Sequence, residues 1–137
     1  MPPPQMTIMN APSREYCLTT RERTNTPLQA LLMMNEEEYF KAAKASAKLT
    51  LEETHDLETG LSQIYEKITS HLPSDDRLQL MEETFAEFVD IYKNDRALTE
   101  SLTPELSAST FEKRVELAAW TMMTHSLFNL ELSKVRR

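Results

Sequence analysis

The sequence predicts an all-α protein: an irregular bundle of about five helices with an extended N-terminal arm and a central, apolar C-terminal helix. The chain of 137 residues contains a single glycine, which is too few for the turns that hairpins, barrels and sandwiches require. Apolar residues recur at three- and four-residue spacing through most of the chain. With 40% hydrophobic and 27% charged residues, the composition is typical of one globular domain.

Residues 1–25 are predicted to be an extended arm or loop that precedes one helical domain, residues 26–137. The arm contains four of the seven prolines and shows no helical periodicity. The domain begins with Thr26, whose hydroxyl suits a helix N-cap. Pro27 follows at the first helical position, where its missing N–H costs nothing. A helix is therefore predicted to start at this point.

The first helix is predicted to end at Met34, and a second helix is predicted over residues 36–49. Asn35 and Glu38 have the spacing of a capping box, and a run of three acids suits the first turn of a helix. The alternative is one continuous helix through the end of this segment.

Three more helices are predicted in the remainder of the chain. The first covers residues 57–72, where apolar side chains recur at helical spacing, and the second begins after Ser74 as its N-cap. Residues 96–109 are predicted to be a loop with one helical turn after Thr103, because the segment contains a proline and is rich in Ser and Thr. The last helix is predicted over residues 110–133.

The last helix differs from the others because its apolar residues, including Trp120, fall on every side between Leu117 and Leu132. A helix that is apolar all round is a buried helix. We therefore predict that it lies at the centre of the bundle. If its true neighbour is a missing domain, the same residues form an apolar patch through which the chain dimerises or docks.

The formal net charge of −7 is unevenly distributed along the chain. Residues 1–35 carry three Arg and two Glu, whereas residues 36–137 carry 12 basic and 20 acidic residues. An acidic body without a basic stripe repels phosphate backbones, so we expect no nucleic-acid partner. The single glycine also excludes both glycine-rich nucleotide-binding loops.

One cysteine, Cys17, excludes a disulfide within the chain and every CxxC site for zinc, redox chemistry or c-type haem. No apolar run approaches the length of a membrane span, and the N-terminus lacks the basic start and apolar stretch of a signal peptide. We predict no cofactor, no metal site, no catalytic residue and no membrane span in this chain. The sequence does not define the compartment.

The segment TTRERTNTP is the one polar stretch that suggests binding. Arg21 and Arg23 come just before a helix N-terminus, where free N–H groups and the helix dipole favour anions. The alternative is that both guanidinium groups pair with the protein's own carboxylates, while the neighbouring Thr and Asn side chains cap backbone groups. The candidate anion or interaction site comprises Arg14, Arg21, Arg23, Asn25 and Gln29.

Two residues of the last helix, His125 and Asn129, are four apart and therefore lie on one face. They could bind a ligand, but we favour a buried polar pair that finds its partners inside the core. Cys17 would need a histidine positioned by the fold to act as a nucleophile. The paired carboxylates of the chain are best explained as solvated charges in first turns or on exposed faces.

Two blocks of the sequence resemble a known family. The stretch NAPSREYCLTTRERTNTPLQALLMMNEEEYFKAAKASA is similar to the C-terminal domain of the planctomycete cytochrome-associated proteins, a large family of unknown function, and ELAAWTMMTHSLFNLELSKVRR is similar to the closing segment of that domain. The matching residues are Pro12, Arg14, Glu15, Cys17, Arg21, Arg23, Thr24, Asn25, Thr26, Pro27, Gln29, Asn35, Trp120, Asn129 and Leu130. We assign a structural role to Thr26, Pro27, Asn35, Trp120 and Asn129. The residues that depart from the family pattern are Glu36, Glu37, Glu131 and Leu132.

The resemblance implies that the chain is the C-terminal piece of a larger exported protein in the periplasm or at the cell envelope. A c-type haem is common in relatives, but it belongs to a separate module of the parent. The implied partner is the remainder of the parent or another protein. Self-association through the apolar last helix is a further possibility.

Our first hypothesis is a helical structural or interaction module that docks on its parent through the N-terminal arm and the Arg-Thr-Asn-Thr-Pro loop. This hypothesis places Trp120 and Asn129 near residues 21–29. The alternative hypothesis is an anion or sugar-acid site in the active cleft of the parent. Its residues would be Glu15, Arg21, Arg23 and His125.

Overall fold

The computed structural model describes residues 4–11, 24, 26–130 and 133. These residues form seven α-helices and one 3-10 turn and include no β-strand, so the predicted all-α class is confirmed. The helices are α1 (Pro4–Ile8), α2 (Pro27–Asn35), α3 (Glu37–Glu53), α4 (Leu57–Thr69), α5 (Asp75–Asn94), α6 (Arg96–Leu102) and α7 (Phe111–Phe128). The 3-10 turn, Pro104–Leu106, lies between α6 and α7.

The first 40 residues differ from the prediction in two ways, one in the arm and one between α2 and α3. The arm, predicted to be extended, contains α1, because a proline is compatible with the first turn of a helix and Pro4 stands at the first position. α2 and α3 are separate helices as predicted, with Glu36 in extended conformation between them. The predicted capping box of Asn35 does not form, because the Asn35 side chain donates instead to the carbonyl of Leu31 at 2.8 Å.

The second half of the chain also differs from the prediction at two places. Most of the predicted loop 96–109 is helical: Asp95 caps α6 by accepting a hydrogen bond from a first-turn N–H at 2.9 Å, and the 3-10 turn follows Thr103. α7 ends at Phe128, before the predicted end. The N–H of Asn129 bonds to carbonyls two and three residues back, which tightens the last turn and closes the helix.

The core lies where α7 packs between α3 and α5, and α4 lies against all three of these helices. Ten residues of α7 are buried, and residues 117–121 are buried consecutively, so α7 is enclosed on every side over that turn. The buried core side chains are Ala47, Leu61, Ile64, Tyr65, Met81, Phe85, Leu117, Ala119, Trp120, Met123 and Leu127.

The single glycine lies where α4 passes closest to Trp120. A Cβ added to Gly60 would lie 2.8 Å from Cη2 of the indole and 3.2 Å from Cγ2 of Thr54. The same indole packs on Phe85, with ring centroids 4.9 Å apart. The close approach of Trp120 to the α4 backbone therefore depends on the absence of a side chain at Gly60.

Two cations join α6 to the bundle. Lys44 of α3 donates to the carbonyl of Leu102, and Arg114 of α7 donates to the carbonyl of Thr103 at 3.1 Å. These carbonyls are at the C-terminal end of α6, where carbonyls lack donors within the helix and the dipole favours positive charge. α6 is thus held by polar contacts to two core helices.

Glu105, in the 3-10 turn, strengthens the same junction. Its carboxylate lies 2.9 Å from Nζ of Lys44 and 3.0 Å from Nζ of Lys48. Burial alone raises the pKa of Glu105, but the hydrogen bonds from the two lysines outweigh burial and lower the pKa to about 2. The carboxylate is therefore charged at neutral pH and bridges both lysines.

Candidate functional site

α2 starts with a capping box. Thr26 is extended, and its Oγ1 accepts a hydrogen bond from the N–H of Gln29 at 3.3 Å. In return, Oε1 of Gln29 accepts from the N–H of Thr26 at 3.1 Å. Pro27 occupies the first helical position. The helix therefore begins as the sequence predicts, with two free N–H groups satisfied reciprocally.

Gln29 is also the centre of a hydrogen-bond network that ties the arm to α2. Its Nε2 donates to the carbonyl of Ile8 at 2.9 Å and to Oγ1 of Thr24 at 2.8 Å. The Thr24 hydroxyl also accepts from Nδ2 of Asn10 at 2.6 Å. With Oε1 bonded to Thr26, the whole amide is used within the protein, and the Gln29 side chain is only 4% exposed.

A second contact, from the last helix, also holds the inner face of α2. Nε2 of His125 lies 3.1 Å from the carbonyl oxygen of Met33, in the last turn of α2, where carbonyls lack donors within the helix. Because a carbonyl can only accept, Nε2 carries the hydrogen. The imidazole is buried, and its ring packs edge-on against Phe40 with centroids 5.5 Å apart. His125 therefore caps the C-terminal end of α2.

The outer face of α2 is apolar and exposed. Leu28, Leu31 and Met34 are 55%, 56% and 59% exposed, and residues three apart are neighbours on a helix surface. The helix contains no charged residue. These three side chains form an apolar stripe, and we refer to them as the α2 stripe. Large contiguous apolar patches on soluble proteins mark interaction surfaces, which makes the α2 stripe a candidate for one.

Four of the five residues of the predicted anion site lie outside the described residues: Arg14, Arg21, Arg23 and Asn25. Glu15, assigned to the alternative site, also lies outside them. Gln29 is described, and both N–H groups of its amide are donated to Ile8 and Thr24. His125, assigned to the alternative site, donates to Met33. The anion site as a whole stays a prediction.

The last helix reaches α2 through a hydrogen bond from His125 to the carbonyl of Met33. The indole of Trp120 packs beside Gly60 of α4 and on Phe85 of α5. Asn129 lies at the end of α7, where its Oδ1 is buried and has no hydrogen-bond partner in the described part of the chain. No hydrogen bond joins it to His125, which instead reaches Met33. The predicted proximity of Asn129 to residues 21–29 stays a prediction.

The hydrophobic pattern of the sequence does not predict the α2 stripe as an exposed surface. α2 is apolar around most of its circumference, so the hydrophobic pattern cannot define which face points inward. The informative signal is Gln29, a polar residue in an otherwise apolar helix. A buried amide must find partners, and Gln29 finds them in Ile8 and Thr24, which places the stripe on the opposite side.

Of the three histidines, His55 and His71 are exposed and His125 is buried. Within the described part of the chain, no group of three or more His, Cys, Asp or Glu residues could hold a metal ion. None of the helices in that part combines the length and the apolar character that crossing a membrane requires.

A family model described as PSD1, a protein of unknown function (DUF1553), matches residues 1–85, which is more than half of the chain. The chain belongs to the PSD1 family. The matched part of this PSD1 chain extends into α5 and includes α2 with both of its faces. Residues 116–137, the second block of the resemblance, lie beyond the match. Neither the curated proteins nor the solved structures gave a match to the chain.

Proposed function

We propose that this PSD1 chain is a helical interaction module that docks on the remainder of a larger protein through the α2 stripe. One observation carries the proposal: Leu28, Leu31 and Met34 are more than half exposed on a helix whose inner face is already engaged. Full burial of an exposed Leu or Met contributes about 1.5–3 kcal/mol, so covering these half-exposed side chains contributes about 3–5 kcal/mol in total.

The polar contacts on the inner face support this proposal. Gln29 fixes the N-terminal end of α2 and His125 fixes its C-terminal end, so the stripe is presented in one orientation. A surface that is ordered before binding loses less conformational entropy when the partner arrives. In this proposal the arm, through Ile8 and Asn10, positions α2 for docking.

We propose that the partner is the rest of the parent protein. The support is the resemblance of the arm and the α2 motif to the planctomycete cytochrome-associated proteins. On this proposal the parent is exported to the periplasm or the cell envelope, and any c-type haem belongs to a separate module of it.

The α2 stripe is a better docking surface than α7. The apolar side chains of α7 are enclosed by α3, α4, α5 and α6 within one chain, which leaves few of them for a second copy. The interaction module is also favoured over the anion site, because His125 and the Gln29 amide already have partners inside the protein.

Thiol labelling tests this proposal. Leu31→Cys places a thiol on the α2 stripe, and Leu80→Cys places a matched control on α5, because the two leucines are 56% and 55% exposed. Both are made in a Cys17→Ser background, so that only the introduced thiol reacts. Labelling rates are then measured in this chain alone and in the complete gene product that contains it.

We expect the two thiols to react at similar rates in the chain alone. In the complete gene product, the thiol at position 31 reacts at least about tenfold more slowly than the thiol at position 80, since a tenfold protection corresponds to only about 1.4 kcal/mol of docking free energy. Equal labelling rates at the two positions in the complete gene product would overturn the proposal.

A further inference from the structure

A groove of about 520 Å³ lies between α5 and the start of α7, away from the α2 stripe. Its floor is apolar and consists of Phe85, Val89, Phe111 and Val115. Phe85 and Val115 are buried, whereas Val89 and Phe111 are partly exposed. The groove is therefore an apolar trough that begins in the core and opens to the surface.

Three charged side chains line the mouth of the groove. Lys93 stands on the α5 side, and Glu112 and Glu116 stand one turn apart on the α7 side. All three are exposed, and none of them forms an ion pair with a residue that the structure describes. The two glutamates are thus on the α7 side and the lysine is on the α5 side, while the guanidinium of Arg96 lies over the Phe111 ring, 5.3 Å from its centroid.

The dimensions of the groove suit a helix. Phe85, Val89 and Lys93 follow one another at four-residue intervals along α5, so the α5 wall is about 12 Å long at 1.5 Å per residue. This length corresponds to about two turns of a helix placed alongside. Amphipathic helices bind such grooves through apolar residues spaced three and four apart.

We propose that this groove binds an amphipathic helix of a partner protein, with apolar anchors on the trough floor and a basic flank against Glu112 and Glu116. The charge pattern argues for this occupant. A helix with Lys or Arg on the side that faces α7, and an acid on the side that faces Lys93, finds three complementary charges at the mouth. A helix with the opposite arrangement meets like charges at all three positions, which disfavours it.

This surface is separate from the one that carries the proposed function. The α2 stripe lies within the residues matched by the PSD1 family model, whereas every residue of the groove except Phe85 lies beyond residue 85. The groove is therefore a feature of the part of the chain outside the match. Loss of binding at one surface leaves the other proposal intact.

Two synthetic peptides of about four helical turns test the inference. Both carry leucines at helical spacing. One has lysines on the flank that faces α7, and the other has glutamates there. Binding to the 137-residue chain is measured from the changes in its amide chemical shifts. The peptides are added at millimolar concentration, so that weak complexes are detected. We expect the lysine peptide to bind with shifts centred on Val89 and Val115, and at least about fivefold more tightly than the glutamate peptide.

A charge reversal separates groove binding from general attraction to an acidic protein. Glu112→Lys/Glu116→Lys reverses the acidic wall, and Glu52→Lys/Glu66→Lys makes the same change in net charge on exposed residues elsewhere. We expect the first variant to reverse the peptide preference and the second to retain it. The inference is overturned by absence of binding, by shifts outside the groove, or by equal effects of the two variants.

Discussion

The corner around α2 and the core around α7 are stabilised by different interactions. α7 buries ten residues, most of them apolar, between α3, α4 and α5. α2 buries only Gln29 and Met33 and is held by the Gln29 network and by His125. The first arrangement has the large apolar burial that stabilises a whole domain. The second fixes a helix in position while most of its apolar surface stays in contact with solvent.

This difference shows how the protein could combine a stable fold with the docking surface that we propose. In the core, apolar side chains point inward and stabilise the fold. In the corner, a buried amide holds the helix, and Leu28, Leu31 and Met34 point outward. Elements with few buried apolar contacts open at lower free energy than the core. We therefore expect substitutions in the core to affect the whole chain and substitutions in the corner to act locally.

The largest effect is expected for Trp120→Ala. The indole is 4% exposed and packs on Phe85 and against Gly60, so its removal leaves a cavity that the helices cannot fill. The free energy of unfolding should fall by about 3–5 kcal/mol. Urea denaturation measures the loss. The control Leu80→Ala, at a residue that is 55% exposed, should change it by about 0.5 kcal/mol or less.

Gly60→Ala should also be destabilising, although alanine is favoured over glycine inside a helix by about 1 kcal/mol. The new Cβ would lie 2.8 Å from Cη2 of Trp120, and overpacking of a core costs about 1–3 kcal/mol. We expect a net loss of about 1 kcal/mol. In a Trp120→Phe background the clash disappears, and the same substitution should become neutral or stabilising. Stabilisation by Gly60→Ala in the wild-type background would show that the packing account is wrong.

Gln29→Ala should have a more local effect. It removes the bonds to Ile8, Thr24 and Thr26, and we expect a loss of about 1–3 kcal/mol in the stability of the corner, because the Ile8 carbonyl and the Thr24 hydroxyl lose a donor and the N–H of Thr26 loses its acceptor. Amide exchange should rise in α1 and α2 and stay unchanged in α7. The matched control is Gln79→Ala on α5, whose amide is exposed and bonds only to Glu83 in the described part of the chain.

The smallest effect is expected at the junction of α6 with the bundle. The pKa of Glu105 is lowered from 4.5 to about 2, so its contribution to stability is complete above pH 4.5 and is lost as the pH falls toward 2. Glu105→Gln should destabilise the chain by about 1 kcal/mol at pH 7, because the pairs with the two lysines are partly exposed. The difference from wild type should become much smaller near pH 2. A difference that is the same at pH 7 and pH 2 would exclude this electrostatic origin.

Local signals predicted much of the fold. Thr26 and Ser74 cap the helices that follow them, and the separation of α2 from α3 is close to the predicted position. These features depend on a few neighbouring residues, so the sequence alone can predict them. The all-α class follows from the same kind of evidence, because a chain with one glycine cannot form the turns of a β-fold.

Long-range contacts could not be predicted in the same way. α6 is a short helix that is rich in Ser and Thr, and its junction with the bundle depends on Lys44 and Arg114, which are remote in sequence. The outward direction of the α2 stripe depends on Ile8 and on His125, which lie on either side of α2 along the chain. Spacing within one helix carries no information about such partners.

Amide hydrogen exchange of α2 and α7, in the chain alone and in the complete gene product, which we propose is larger than this chain, tests the central claim most directly. We predict that α2 amides exchange much faster than α7 amides in the chain alone, since only Gln29 and Met33 of α2 are buried. In the complete gene product, α2 should become protected while α7 stays unchanged. Exchange of α2 that is as fast in the complete gene product as in the chain alone would contradict the account.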